Sequence, residues 1–347
     1  MRRAFGLIVT VVSLLGLVQA QSFTQRLMAP IFYEIGIQPG FQNNPLNLSE
    51  VEVEKTIEDG NYLDGIIYSS SNTITFYGKL NYAPRLIKGR KTRINLQAFH
   101  HYYSDIPERN YQSYSMSVKQ SLGKYRYLDF GYWILPDYYL RNYLFTDPVT
   151  LIREREATRF GTDRAWIGFQ HRLTSKNRME YRFSARQETY SSPFSHFDLN
   201  MQEMMVKLRS DQFSQVAFSL EFQYGLAFND NQIDEVDRSY RYLNFRPAMT
   251  YKLPGKNRLR LTGRYDQRAY ESENLDDPLH AGRYQEEFRL ELSLLPKLDG
   301  PMLIEPFIGY RERRVHSSDA AIRDLKSYSR NWFGIRLAFE SVIDMYF

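Results

Sequence analysis

The sequence predicts an all-β chain that closes into a transmembrane, antiparallel, up-and-down β-barrel of about fourteen strands, with twelve or sixteen also compatible. Three observations lead there. Apolar and polar residues alternate with period two from Ile31 to the C-terminus. The breaks between alternating segments are short and long in turn. The segments themselves run to lengths well beyond the about five or six residues of a soluble strand. A tilted strand needs about nine to eleven residues to cross a bilayer.

The first twenty residues stand apart. "MRRAFGLIVTVVSLLGLVQA" places Arg2 and Arg3 before an apolar run from Phe5 to Leu17 and ends on the small residue Ala20. That order predicts a secretory signal peptide over 1–20, cleaved before Gln21, and a barrel domain over 21–347. The run is too short for a spanning helix with a stop-transfer flank. The formal charge of +5 loses Arg2 and Arg3 on cleavage and becomes 5 − 2 = +3. Near balance in an exported chain argues against a nucleic-acid partner. The chain has no cysteine, which suits a bacterial envelope and excludes thiolate metal sites and cysteine nucleophiles. With a mean hydropathy of −0.52 and no long apolar run after residue 20, any membrane crossing is by strands.

Each strand shows its two faces. "TITFYGKLNY" (73–82) sets Ile74, Phe76 and Leu80 against Thr75, Tyr77 and Lys79. "RINLQAFHHY" (93–102) sets Ile94, Leu96 and Ala98 against Asn95, Gln97 and Phe99. "NRMEYRFSARQE" (177–188) sets Met179, Tyr181 and Phe183 against Arg178, Arg182 and Arg186. Within 197–209 the phase weakens near Met204, which predicts a bulge. "QVAFSLEFQY" (215–224) sets Phe218, Leu220 and Phe222 against Ser219, Glu221 and Gln223. "NRLRLTGRYDQRAY" (257–270) sets Leu259 and Leu261 against Arg258, Arg260, Arg264, Asp266 and Arg268. "YQEEFRLELSL" (284–294) sets Phe288, Leu290 and Leu292 against Glu287, Arg289 and Glu291. In a membrane barrel the apolar parity faces lipid and the polar parity faces the lumen. A lumen-facing basic track then follows: Arg178, Arg182, Arg186, Arg258, Arg260, Arg264, Arg268, Arg289, Arg311 and Arg313. It admits two readings, a structural ladder of cross-strand ion pairs or a row that favours anionic solutes.

The longer breaks, near 43–71, 103–110, 141–162, 190–195, 228–238, 271–282 and 315–326, predict loops at one end of the barrel. The first carries "SEVE" (49–52), a capping box ahead of a helix, and either bends into the lumen or caps it from outside. Tyrosines near strand ends (Tyr102, Tyr103, Tyr111, Tyr114, Tyr138, Tyr139, Tyr240 and Tyr242) predict aromatic girdles at the membrane interfaces. The six histidines show no triad or ligand spacing and read as surface residues, with His100 facing lipid. "NDNQIDEVD" (229–237) lacks the glycine and terminal glutamate of a calcium loop and reads as a solvated acidic loop. No residue is assigned a catalytic, cofactor-binding or metal-ligating role.

The chain ends "WFGIRLAFESVIDMYF". A terminal Phe347 after an alternating strand, with Tyr346, Met345 and Ile343, or Phe339, Leu337 and Ile335 one segment earlier, resembles the C-terminal sorting signal of bacterial outer-membrane β-barrel proteins. The resemblance is to that general class, porin-like in pattern, and implies residence in the outer membrane, contact with its lipids and lipopolysaccharide, and handling by the barrel-assembly machinery. The expected function is a porin-like passive channel for small polar or anionic solutes. A barrel scaffold or export component of a secretion or surface-polysaccharide system is the alternative, and a membrane-embedded lipid hydrolase is the third.

Overall fold

The structure, a computed structural model, describes residues 26–60, 70–146, 151–229, 237–274, 277 and 279–344. The signal peptide expected over 1–20, residues 230–236 of the acidic loop and the terminal Phe347 lie outside the described residues.

Period-two alternation becomes fourteen strands. They are β1 (Ile31–Asn43), β2 (Ser70–Tyr82), β3 (Thr92–Tyr103), β4 (Tyr111–Gly123), β5 (Arg126–Thr146), β6 (Arg153–Arg172) and β7 (Asn177–Tyr190). The second half is β8 (Leu199–Ser210), β9 (Val216–Phe228), β10 (Tyr240–Lys252), β11 (Arg258–Tyr270), β12 (Tyr284–Leu295), β13 (Met302–His316) and β14 (Tyr328–Ile343). Each strand pairs antiparallel with its sequence neighbours, and β1 pairs with β14, from Ile31↔Ile343 to Gln42↔Trp332. Closure leaves no sheet edge, which is what a backbone immersed in lipid requires.

The two parities separate cleanly. Phe76, Phe130, Ile167, Phe222, Ile308 and Phe333 are exposed on the outside, and they belong to strands spread around the whole wall. An apolar belt of that extent is stable only against lipid. Glu203, Asn244, Glu287 and Glu305 are buried on the opposite parity, inside. The outside parity holds Met179, Tyr181, Phe183, Leu259, Leu261 and Leu290, as their alternation predicts.

Three local expectations change. The segment near Met204 has no bulge: β8 keeps one register with β7 and one with β9 throughout. Its phase weakens in sequence because Leu199, Met201 and Met205 turn inward and are buried, so both faces carry apolar residues. Register shifts lie instead in β5, between Leu135 and Tyr138 and between Tyr139 and Arg141, and in β4 between Ser121 and Gly123. Pro136, which has no N–H for the ladder, sits in the first of them. The loop expected over 141–162 is mostly strand, since β5 and β6 pair out to Thr146↔Arg153. Beyond the bilayer both faces of a hairpin are wet, so "REREATRF" (153–160) lacks the alternation that marks the rest.

The wall makes room for rings inside it. Gly131 is the cross-strand partner of Trp166, and a Cβ on it would lie 2.0 Å from the indole. Gly309 and Trp332 form the same kind of pair, with 2.1 Å available. Glycine lets each indole lie flat on the wall and keeps it out of the lumen centre.

The first long loop folds over the mouth. Ser49 caps α1 (Glu50–Glu58) with both hydrogen bonds of the predicted capping box. Leu46 and Leu48 pack on Tyr103, Ile106 and Tyr139, and Glu52 pairs with Arg141. From the far side, α2 (Ala320–Lys326) between β13 and β14 meets α1. The loop therefore caps the barrel, with its leading residues Leu46 and Asn47 lining the space beneath.

Candidate functional site

Antiparallel register decides which luminal side chains stand level with one another. Arg264 on β11 is opposite Arg289 on β12, Arg289 is opposite Arg311 on β13, and Arg311 is opposite Arg330 on β14. Four guanidinium groups thus run side by side across four adjacent strands. Like charges directly opposed destabilise a sheet unless something compensates. The compensation is a second row two residues away: Asp266 is opposite Glu287, and Glu291 lies on the other side. Arg264 bonds Asp266 at 3.0 Å, Arg289 bonds Glu291 at 3.3 Å and Arg311 bonds Glu287 at 2.6 Å. Arg330 has no carboxylate within 4 Å among the described residues.

The remaining residues of the expected track divide by depth. Arg182 bonds Glu180 at 2.8 Å, and Arg186 pairs with Glu188. Arg313 shares Glu287 with Arg311 at 2.9 Å, and Arg260 approaches Glu305 at 4.0 Å. Arg178 lies near the short-turn end, 3.8 Å from Asp211. Arg258, at the same end, makes no ion pair among the described residues, and neither does Arg268. Arg268 lies instead over the Tyr240 ring, at 5.1 Å. Below the row, Arg336 bridges Glu291 and Glu305, each at 2.8 Å, and Arg246 and Lys207 share Glu221.

The opposite wall is aromatic. Tyr77 stacks on Phe99, and His101 stacks on Tyr111 at 4.3 Å. Tyr111 meets Tyr138 at 5.0 Å, Tyr138 meets Phe160 at 5.4 Å, and Phe160 stacks on Tyr190 at 5.3 Å. Contact passes from ring to ring across six strands, β2 to β7. The expected girdle therefore changes. Tyr102 and Tyr114 point outward, whereas Tyr103, Tyr139 and Tyr240 are buried and Tyr111, Tyr138 and Tyr242 line the interior. Parity is the reason: Tyr240 and Tyr242 share a face with Asn244 and Arg246.

Two cavities follow one another along the axis. The deeper one, of about 380 Å³, is bounded by Thr73, Thr75, His101, Tyr103 and Tyr111 on one side and by Arg289, Arg311, Arg330 and Arg336 on the other. The outer one, of about 580 Å³, lies under the loops. Among the described residues its cations are Arg141, Arg238, Arg268, Arg283, Arg311, Arg313 and Lys326, and its one lining carboxylate is Glu188. Tyr138 and Arg311 line both cavities, so the aromatic and basic walls face each other where the two meet.

The histidines are not all at the surface. His100 is on the outward parity as expected, but His101 is luminal and bonded to Thr75 at 2.9 Å. His280, in the loop before β12, is buried, and its Nδ1 lies 2.7 Å from Asp277. Burial pushes it down to about 4 despite Asp277, so it is neutral at pH 7 and adds no charge to the outer cavity. Among the described residues no cluster of His, Asp and Glu could hold a metal ion.

Several site residues escape sequence reasoning. Arg238 and Arg283 precede strands and have no parity to read. Arg330 and Tyr328 belong to the last strand, where the terminal pattern dominates. One signal was available: an arginine and a tyrosine two residues apart at the long-loop ends, in Arg141/Tyr143, Arg238/Tyr240, Arg268/Tyr270 and Tyr328/Arg330.

No family model matches this sequence, and no curated protein matches it. Solved structures do. A loop-deletion mutant of OmpT, an outer membrane protein of Vibrio cholerae, is similar over 90% of this chain and 100% of that one, with TM-score 0.50 and 8% identity. The outer membrane channel DcaP of Acinetobacter baumannii gives TM-score 0.47 and 11% identity over 94% and 100%. An anion-selective porin from Comamonas acidovorans gives 0.45 and 9% over 90% and 98%. At such identities the likeness concerns the fold: the chain is a closed, fourteen-stranded antiparallel β-barrel of the outer-membrane type.

Proposed function

We propose that this protein is an outer-membrane β-barrel acting as a porin-like passive channel with a preference for small anionic solutes. The observation that carries the reading is the level row Arg264, Arg289, Arg311 and Arg330, ending on a guanidinium without a carboxylate partner among the described residues. Guanidinium groups in a confined aqueous lumen raise the local anion concentration, and salt screens the effect beyond about 10 Å at 0.1 M. The apolar belt supports insertion among outer-membrane lipids and lipopolysaccharide, delivered by the barrel-assembly machinery. The reading makes the protein a channel and assigns it no catalysis.

Reversal potential across a salt gradient in planar bilayers tests it. The wild type should select anions, and Arg330→Gln with Arg289→Gln should reduce that selectivity more than Arg178→Gln does. Cation selectivity, or an unchanged double variant, would overturn the reading. A barrel without conductance would favour the export scaffold, and fatty acid released from phospholipid would favour the hydrolase.

A further inference from the structure

The outer cavity differs from the rest of the lumen in how its arginines are held. Below it, Arg182, Arg246, Arg264, Arg289 and Arg336 each pair with a carboxylate. Within it, Arg238, Arg268 and Arg283 have no carboxylate within 4 Å among the described residues. They rest on rings: Arg283 lies 3.8 Å over Tyr270, Arg268 lies 5.1 Å over Tyr240, and Arg238 lies 5.0 Å over Tyr190 while donating to the Phe197 carbonyl at 2.7 Å and to the Tyr190 hydroxyl at 3.3 Å. Tyr240 and Tyr270 touch, with centroids 5.4 Å apart, so the Arg268 and Arg283 contacts converge on one spot, and Arg238 lines the same cavity. Arg283 is only 8% exposed, and its Nε has no hydrogen-bond partner. A buried guanidinium left with unused donors is costly unless something accepts from them.

Two convergent guanidinium forks, with the charge of Arg238 in the same cavity, match more than one negative charge. A phosphate monoester offers two charges and three acceptor oxygens in the geometry that arginine bonds bidentately. The cavity is too large for a phosphate alone, at about 580 Å³. Tyr138, Phe160 and Phe194 also line it, Phe160 stacked on the Tyr190 ring beside Arg238, and ring faces suit a flat apolar group. We propose that the outer cavity is a binding site for a phosphomonoester carried on a ring. The phosphate sits among Arg238, Arg268 and Arg283, and the ring lies against the aromatic wall. The inference rests on the channel reading only for how such a solute would pass onward.

Calorimetric titration of the full barrel, refolded in detergent, tests it with four probes: phenyl phosphate, inorganic phosphate, benzoate and phenol. Phenyl phosphate should bind at least about tenfold more tightly than each of the others, a gap of roughly 1.4 kcal/mol. Arg268→Gln and Arg283→Gln should each weaken it about tenfold, and Arg314→Gln, on the outer surface, should leave it unchanged. Heat-modifiable migration on gels verifies that each variant is folded. The comparison among probes needs no variant, so a variant that does not fold leaves the test intact. Equal binding of phenyl phosphate and inorganic phosphate, no binding of phenyl phosphate, or unchanged affinity in both folded variants overturns the site. Binding is read without conduction, so the two proposals fail separately. A barrel that conducts anions but ignores phenyl phosphate loses the site, and one that binds without conducting loses the channel.

Discussion

The two walls of the lumen are built on opposite principles. From β11 to β14 the wall is a charge lattice, in which arginines stand level with arginines and are stabilised by acids one step along the strands. From β2 to β7 the wall is a chain of rings in contact, from Tyr77 to Tyr190. Charge neutralisation acts over several residues at once, because Glu287 serves both Arg311 and Arg313. Ring contacts act pair by pair and fall off within a few ångströms. The lattice should therefore fail abruptly when one acid is removed, and the ring chain should weaken in proportion to what is cut.

Glu287→Gln should have the largest effect. It strands two guanidinium groups in a buried setting and should cost about 3–5 kcal/mol, measured by equilibrium urea unfolding in lipid vesicles. A loss under about 1 kcal/mol would mean that water already solvates the lattice. Phe160→Ala should come next. It removes the contacts to Tyr138 and Tyr190 and should cost about 1–3 kcal/mol in the same assay. If it equals Glu287→Gln, the ring chain is cooperative and the contrast between the walls disappears. Arg314→Gln should be smallest. Its bond to Glu312 is on the outside and well exposed, so the same assay should show no resolvable change.

Parity carried most of what the sequence revealed. Arg182 and Phe183 differ by one residue and face opposite ways, because successive side chains on a strand must. The same rule put Arg264, Arg289 and Arg311 on the inner face before any pairing was known. The tyrosines were misread where composition was weighed above parity. An aromatic residue near a strand end suggests an interface girdle, yet Tyr240 and Tyr242 share the face of Arg246. His101, likewise, follows the luminal parity of Phe99. The missing bulge at Met204 has the reverse lesson. Inward Met201 and Met205 blur an alternation whose geometry is regular, and Tyr240 from β10 packs with Leu199 and Met201 on the inner wall.

The sequence by itself determined the strand faces, the closed barrel with its alternating turns and loops, and the capped helix in the first long loop, whose place over the mouth came from the tertiary structure. Each of these follows from local rules: side-chain period, turn chemistry, and a serine and a glutamate three residues apart. Only the tertiary structure decided which arginines stand level, which acids they share, and where guanidinium groups are left on rings without carboxylates. Those outcomes depend on interstrand register and on loops that meet across the mouth. A shift of two residues in one strand would keep every parity and rearrange every pair. For that reason the lining of the lumen could be read from the chain, and the grouping of its charges could not.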